Sequence, residues 1–169
     1  MFNRTLDIGI TEYLPAIPVQ MGETDTSRYA DIDFILHFCD VVGIYAELGL
    51  DSVSKYMWGD SLDHHKSYFD RDGNQGVNYP VHEQLARHFR GEILTVDRSS
   101  SYDDTLVKLY AVRSAPGRYF FVILNKDVEH EATIRVAWSI QELTIRIPPR
   151  SYTSLIVSGN QITVSGIGN

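Results

Sequence analysis

Leu6-Asp7-Ile8-Gly9-Ile10-Thr11-Glu12-Tyr13 is a short apolar run that ends in a carboxylate and an aromatic ring, and the Pro-broken segment Leu14-Pro15-Ala16-Ile17-Pro18 follows it. Leu6, Ile8 and Ile10 suit a buried strand, which leaves Glu12 at the strand's C-terminal mouth. In parallel α/β architectures that mouth gathers residues from several strand ends around one crevice, and chemistry is placed there. Taken alone, a strand-end Glu is more often a solvated carboxylate or a helix-cap partner. Its meaning depends on what surrounds it in the chain.

The next periodic segment spans about residues 28–48, preceded by N-cap candidates in Thr24-Asp25-Thr26-Ser27. Ile32, Leu36, Cys39, Gly43 and Ala46 form a stripe at spacings of three and four, widened by Ile35, Phe38 and Val42. Gly49 falls where a C-cap glycine belongs. Ser52-Val53-Ser54-Lys55-Tyr56-Met57-Trp58-Gly59-Asp60 then reads as a second strand. Strand, helix and strand over this span predict a βαβ unit with parallel pairing.

A polar loop rich in Asp, His and Gly occupies residues 61–78. Tyr79-Pro80-Val81 opens a second helix with Pro in its first turn, and Val81, Leu85 and Phe89 recur every four residues before Gly91 stops it. From Ile93 onward the period switches to two. Val107, Leu109 and Ala111 share a face, and residues 119–124 are a continuous apolar run fit for a central strand. Ala132-Ile134-Val136 alternate with Thr133 and Arg135, Leu143-Ile145-Ile147 with Thr144 and Arg146, and Leu155-Val157 and Ile162-Val164 complete the set. Turn signals at Ala115-Pro116-Gly117, Asn125-Lys126-Asp127, Pro148-Pro149 and Gly159-Asn160 separate them. Six or seven short strands at this spacing predict an antiparallel β-sandwich over residues 92–169. The expected fold class is therefore mixed α+β, with a domain boundary near Gly91.

The composition bounds the possible partners. The 169 residues carry a net charge of −7 with no Lys/Arg cluster, so neither nucleic acid nor an anionic membrane surface is expected as a partner. Hydrophobic content of 43% and charged content of 22% are those of an ordinary globular protein. No apolar run approaches the length of a membrane span, and the first residues do not read as a signal peptide. Cys39 is the single cysteine and excludes an internal disulfide; its place in the helical stripe marks it as a core residue.

Two βα units do not make a domain. Parallel strands need helices on both faces or closure into a barrel, and two strands cannot close. Residues 1–91 thus read as the last quarter of something larger.

Three features resemble the C-terminal end of a clan A retaining glycoside hydrolase, closest in pattern to glycoside hydrolase family 44, with families 39, 51 and 30 as relatives. Ile8-Gly9-Ile10-Thr11-Glu12-Tyr13 resembles the strand-seven motif that presents the nucleophile in these (β/α)8 (TIM) barrels. Asp40-Val41-Val42-Gly43-Ile44-Tyr45, Gly49-Leu50-Asp51 and Lys55-Tyr56-Met57-Trp58 resemble helix seven leading into strand eight. Leu109-Tyr110-Ala111, Val122-Ile123-Leu124-Asn125-Lys126 and Pro148-Pro149-Arg150-Ser151-Tyr152-Thr153-Ser154-Leu155 resemble the appended β-sandwich. One departure is Leu14, where the family-44 pattern continues with Asn.

The resemblance implies Glu12 as catalytic nucleophile, Trp58 as a stacking floor for the sugar, and Tyr13 as a hydrogen-bonding neighbour of the nucleophile. The bland readings are a surface carboxylate, a core Trp and a wall-packing Tyr. The implied substrates are plant-wall β-glucan, xyloglucan or xylan. Families 51 and 39 would instead imply arabinofuranosyl substrates and xylosides, and a non-catalytic carbohydrate-binding sandwich is the alternative of another class. The acid/base of such enzymes comes from strand four, absent here, so the implied partner is the N-terminal part of the barrel and this chain alone is expected to hydrolyse nothing. The implied parent enzyme is secreted.

No cofactor and no metal are expected. Asp70-Arg71-Asp72-Gly73-Asn74-Gln75-Gly76 lacks the glycine position and the terminal Glu of a calcium loop. His64, His65, His82 and His88 lack a ligand spacing. Tyr102, Tyr110, Tyr119 and Trp138 are expected to be strand-packing aromatics rather than a sugar platform.

Overall fold

The computed structural model describes residues 9–13, 31–50, 52–55, 68–69, 72–76, 78–97, 103 and 105–168, with only the backbone at 9–13, 31 and 53–55. The elements run β1 (Gly9–Tyr13), α1 (Asp31–Glu47), β2 (Ser52–Lys55), α2 (Tyr79–His88), β3 (Glu92–Leu94), β4 (Val107–Ala115), β5 (Arg118–Asn125), β6 (Ala132–Trp138), β7 (Gln141–Ile147), β8 (Ser151–Ser158) and β9 (Gln161–Gly168). Helices and mostly antiparallel strands make a mixed α+β chain. It divides into two units, Met1–His82 and Glu83–Asn169, and the division falls inside α2.

In the first unit β1 and β2 pair in parallel, as the βαβ pattern predicts, and α1 supplies the long connection that parallel neighbours require. Ile32, Ile35, Leu36, Phe38 and Cys39 are buried, and so is Phe34, which the predicted stripe does not include. The first half of α1 is thus apolar around most of its circumference, as in a helix covered on several sides. Its end closes as a Schellman motif: the Leu50 amide donates to Tyr45 O and the Gly49 amide to Ala46 O, both at 3.0 Å. Gly49 sits at φ +79°, where a side chain would be strained.

α2 starts with Pro80 in its first turn, where a missing N–H costs nothing. Gly91 follows it at φ +118°, and a Cβ there would stand 2.5 Å from Arg113 O.

The second unit holds a five-stranded sheet in the order β3-β4-β5-β8-β9 and a two-stranded sheet, β6-β7, all antiparallel. The apolar run at 119–124 lies in β5, the middle strand. One face of the larger sheet contributes Ala111, Phe121, Ile123, Leu155 and Val157 to a buried cluster. The β6-β7 hairpin completes that cluster with Ala132, Val136, Trp138 and Ile147. Burying the Val, Leu, Ile and Phe side chains of this cluster contributes about 1.5–3 kcal/mol each. On the opposite face Tyr110, Val112, Phe120, Val122, Leu124 and Tyr152 are buried. There Gln84 of α2 accepts hydrogen bonds from the Tyr152 and Ser154 hydroxyls at 3.1 and 2.9 Å.

The turns follow their residues. Pro116-Gly117 joins β4 to β5 with Gly117 at φ +71°, the pairing a type II turn demands. Asn125 ends β5 fully buried, and its amide group binds two loops together: Nδ2 donates towards His130 O (2.9 Å), Pro148 O (2.9 Å) and Ile147 O (3.3 Å), while Oδ1 accepts from the Asp127 amide. The Arg150 amide donates to Asp127 O across the same two loops.

One expected core pair behaves differently. Ile162 and Val164 alternate as predicted, yet they are 40% and 53% exposed, because β9 is the outer strand and the hairpin layer does not extend over it.

Candidate functional site

Glu12 is the fourth residue of β1 and Tyr13 the fifth, so both occupy the C-terminal end of a strand with a parallel neighbour. Gly9 pairs with Ser52 and Ile10 with Val53, but Tyr13 pairs with Lys55. Two residues of β1, Thr11 and Glu12, therefore stand opposite the single residue Ser54. A bulge of this kind is uncommon between parallel strands; bulges collect beside active sites, where they redirect a side chain and end the pairing. The apolar alternation from Leu6 to Ile10 carries no sign of it. Trp58 follows Lys55 by three residues in the chain and lies outside the described residues, as do the side chains of Glu12 and Tyr13.

The structure adds a group within the loop after β2 that the polar composition of that loop conceals. Tyr68 is buried and its hydroxyl bonds His82 Nδ1, with Nε2 at 2.9 Å. Burial pushes the Tyr68 phenol well above its ordinary range, so at neutral pH it remains a protonated donor to the imidazole. Phe38 of α1 stacks on the His82 ring at 5.1 Å, and Tyr79 meets Tyr68 edge-on at 6.4 Å. The Gly76 amide donates to Tyr68 O and Phe69 bridges to Gln75, closing a small loop held on these aromatics. The adjacent pair Tyr68-Phe69, the only aromatics between Trp58 and Tyr79, was the available signal.

The other candidates resolve as follows. Asp72 is exposed at a turn. Among the described residues no three His, Cys, Asp or Glu side chains gather as a metal site. Asp60, Asp63, Asp70, His64, His65 and Tyr102 lie outside the described residues. His88 packs beside Phe120 at 5.5 Å. Tyr110 and Trp138 are buried, Trp138 Nε1 donates to Gln141 at 2.9 Å, and Tyr119 lies over Phe121 at 6.2 Å, all packing roles. Cys39 is buried, and desolvation raises its thiol far above the range in which a thiolate forms. No described helix is long and apolar enough to cross a membrane.

No protein-family model matches the chain, and no curated protein matches it.

Proposed function

We propose that this chain is the C-terminal portion of a retaining glycoside hydrolase acting on plant-wall β-glycans. In this reading β1, α1 and β2 are the last strands and connecting helix of a (β/α)8 barrel, and the strands from Glu92 onward form its appended β-sandwich. The observation that carries it is the parallel β1–β2 pairing with a bulge at Thr11-Glu12, one residue before the strand ends. If β1 and β2 belong to a barrel, the end of β1 that carries Glu12 corresponds to the rim where barrel enzymes collect their reacting groups.

Glu12 then acts as nucleophile. Its ionised carboxylate attacks the anomeric carbon, the glycosidic bond breaks, and a glycosyl ester forms. A second carboxyl group, about 5–5.5 Å away in retaining enzymes, protonates the leaving oxygen and later activates water. That group belongs to barrel strands supplied from outside these residues, and Trp58 and Tyr13 contribute the sugar-facing floor and a polar neighbour. The shared core of the two β layers supports the sandwich assignment.

The test is mechanism-based labelling with 2-deoxy-2-fluoroglycosides of glucose, xylose and arabinofuranose, applied to the chain joined to the six βα units that the reading requires. A label mapped to Glu12 by peptide mass spectrometry supports the assignment. A label on another carboxylate refutes it, as does an upstream reading frame that codes for no such barrel.

A further inference from the structure

Asp72-Gly73 is the one place in the chain where an aspartate or asparagine precedes glycine. That neighbour matters chemically, because glycine has no Cβ to obstruct a side chain that folds back onto its amide. Asp side chains already reach backbone groups close by in sequence. Residues 72–75 are all exposed, and Gly73 takes φ +81° with nothing within 4 Å of the place a Cβ would occupy. Among the described residues nothing accepts a hydrogen bond from the Gly73 amide.

Other aspartates are guarded. Asp40 lies within α1, where the ladder occupies the amide that follows it. The Asp103 carboxylate accepts from the Thr105 amide and hydroxyl. Asp127 precedes the β-branched Val128, and its carboxylate accepts from the Glu129 and His130 amides.

The loop around Asp72-Gly73 is closed at its base. The Gly76 amide donates to Tyr68 O at 2.8 Å, Phe69 bridges antiparallel to Gln75, and the Phe69 ring lies 5.2 Å from that of Tyr79.

We propose that Asp72 converts spontaneously to isoaspartate in the folded chain, and that the conversion unclips this loop. The Gly73 nitrogen attacks Cγ of the protonated Asp72 carboxyl. The N–Cγ bond forms, the Cγ–OH bond breaks, and the hydroxyl leaves with the amide proton as water. Water then adds to the main-chain carbonyl carbon of Asp72 in the cyclic imide and breaks its bond to nitrogen. The main chain now runs through Cγ and is one methylene longer, and the former carbonyl carbon becomes a free carboxylate. Nothing is oxidised or reduced. The added methylene lies inside the closed loop and shifts the register of Phe69 against Gln75, and with it the Gly76–Tyr68 hydrogen bond. This chemistry is independent of any glycosidase activity.

Methylation by an isoaspartyl carboxyl methyltransferase with S-adenosylmethionine reads the product, on the intact chain held for several weeks at physiological temperature and pH. Methyl incorporation should rise with time, and electron-transfer fragmentation should place it in the peptide holding Asp72. The folded chain should react within roughly tenfold of the rate of the urea-denatured chain, since exposed loops open at almost no cost. Asp72→Glu, whose imide would need a six-membered ring, should lose the label in that peptide. Hydrogen exchange at the Gly76 amide should quicken in the isomerised fraction. An unlabelled chain, a label mapped only to other aspartates, a folded rate below that tenfold window, or unchanged Gly76 exchange would each overturn the proposal.

Discussion

Replacing Asn125 tests whether the second unit depends on one side chain to hold its loops. The residue is fully buried, and its two N–H groups serve three carbonyls while its oxygen takes the Asp127 amide. Asn125→Ala removes these bonds and leaves Ile147 O without this donor inside the protein. Three net hydrogen bonds at about 1 kcal/mol each give a loss near 3 kcal/mol, within a range of about 2–4 once buried carbonyl desolvation is added. Urea unfolding followed by Trp138 fluorescence in a Trp58→Phe background reads this directly. With an m value near 1.5 kcal/mol/M the midpoint falls by roughly 2 M.

Asn125→Asp sharpens the test. The shape is kept, but an ionised carboxylate would face the carbonyl oxygens of His130, Ile147 and Pro148, and burial among acceptors raises its folded-state pKa above the unfolded value of about 3.9. The sign follows: below that value both states are protonated and the variant is least damaged. As pH rises the unfolded state ionises first, and stability is lost until the folded pKa is passed. A loss under about 1 kcal/mol for Asn125→Ala, or an Asp variant that is equally stable at pH 3.5 and pH 7, would refute this account of the loops.

Three further expectations follow from the same unit. Ser139 holds φ +52° at the β6-β7 turn without glycine's freedom, so Ser139→Gly should stabilise by about 0.5–1 kcal/mol, seen as a raised thermal midpoint. Gly91→Ala would force a Cβ to 2.5 Å from Arg113 O at φ +118°, and should cost about 2–3 kcal/mol or more, read in the same urea assay. Amides of Glu129 and His130, then the His130 ring, hold the Asp127 carboxyl below its usual range. Its contribution is therefore present above the unfolded carboxylate pKa and is lost as pH falls through the lower folded value. Asp127→Asn should flatten the acid limb of the stability–pH profile, measured by thermal melts between pH 2 and 6.

What could be read from the sequence was what local chemistry decides. The 3.6-residue stripe from Ile32 to Ala46, the glycine at 49, the Pro80 start, the alternation in β4 to β8 and the Pro-Gly turn at 116 each depend on neighbours within a few residues. Each appears as an element or turn in the fold. For the candidate site, the strand carrying Glu12 and Tyr13 and its parallel partner were legible because a βα connection constrains pairing direction.

Tertiary pairing decided the rest. The bulge at Thr11-Glu12 exists only against Ser54, since register is a property of two strands and not of one. The exposure of Ile162 and Val164 depends on how far the hairpin layer reaches, although their alternation matches that of buried strands. Tyr68 sits in a polar stretch yet is buried, with Tyr79 and His82 of α2 against its ring and Phe38 of α1 stacked on His82. Asn125 looks like an ordinary turn residue and becomes a buried link because two loops bring their carbonyls to it. Short-range preferences specify elements, whereas coverage and register are set by whatever packs against them.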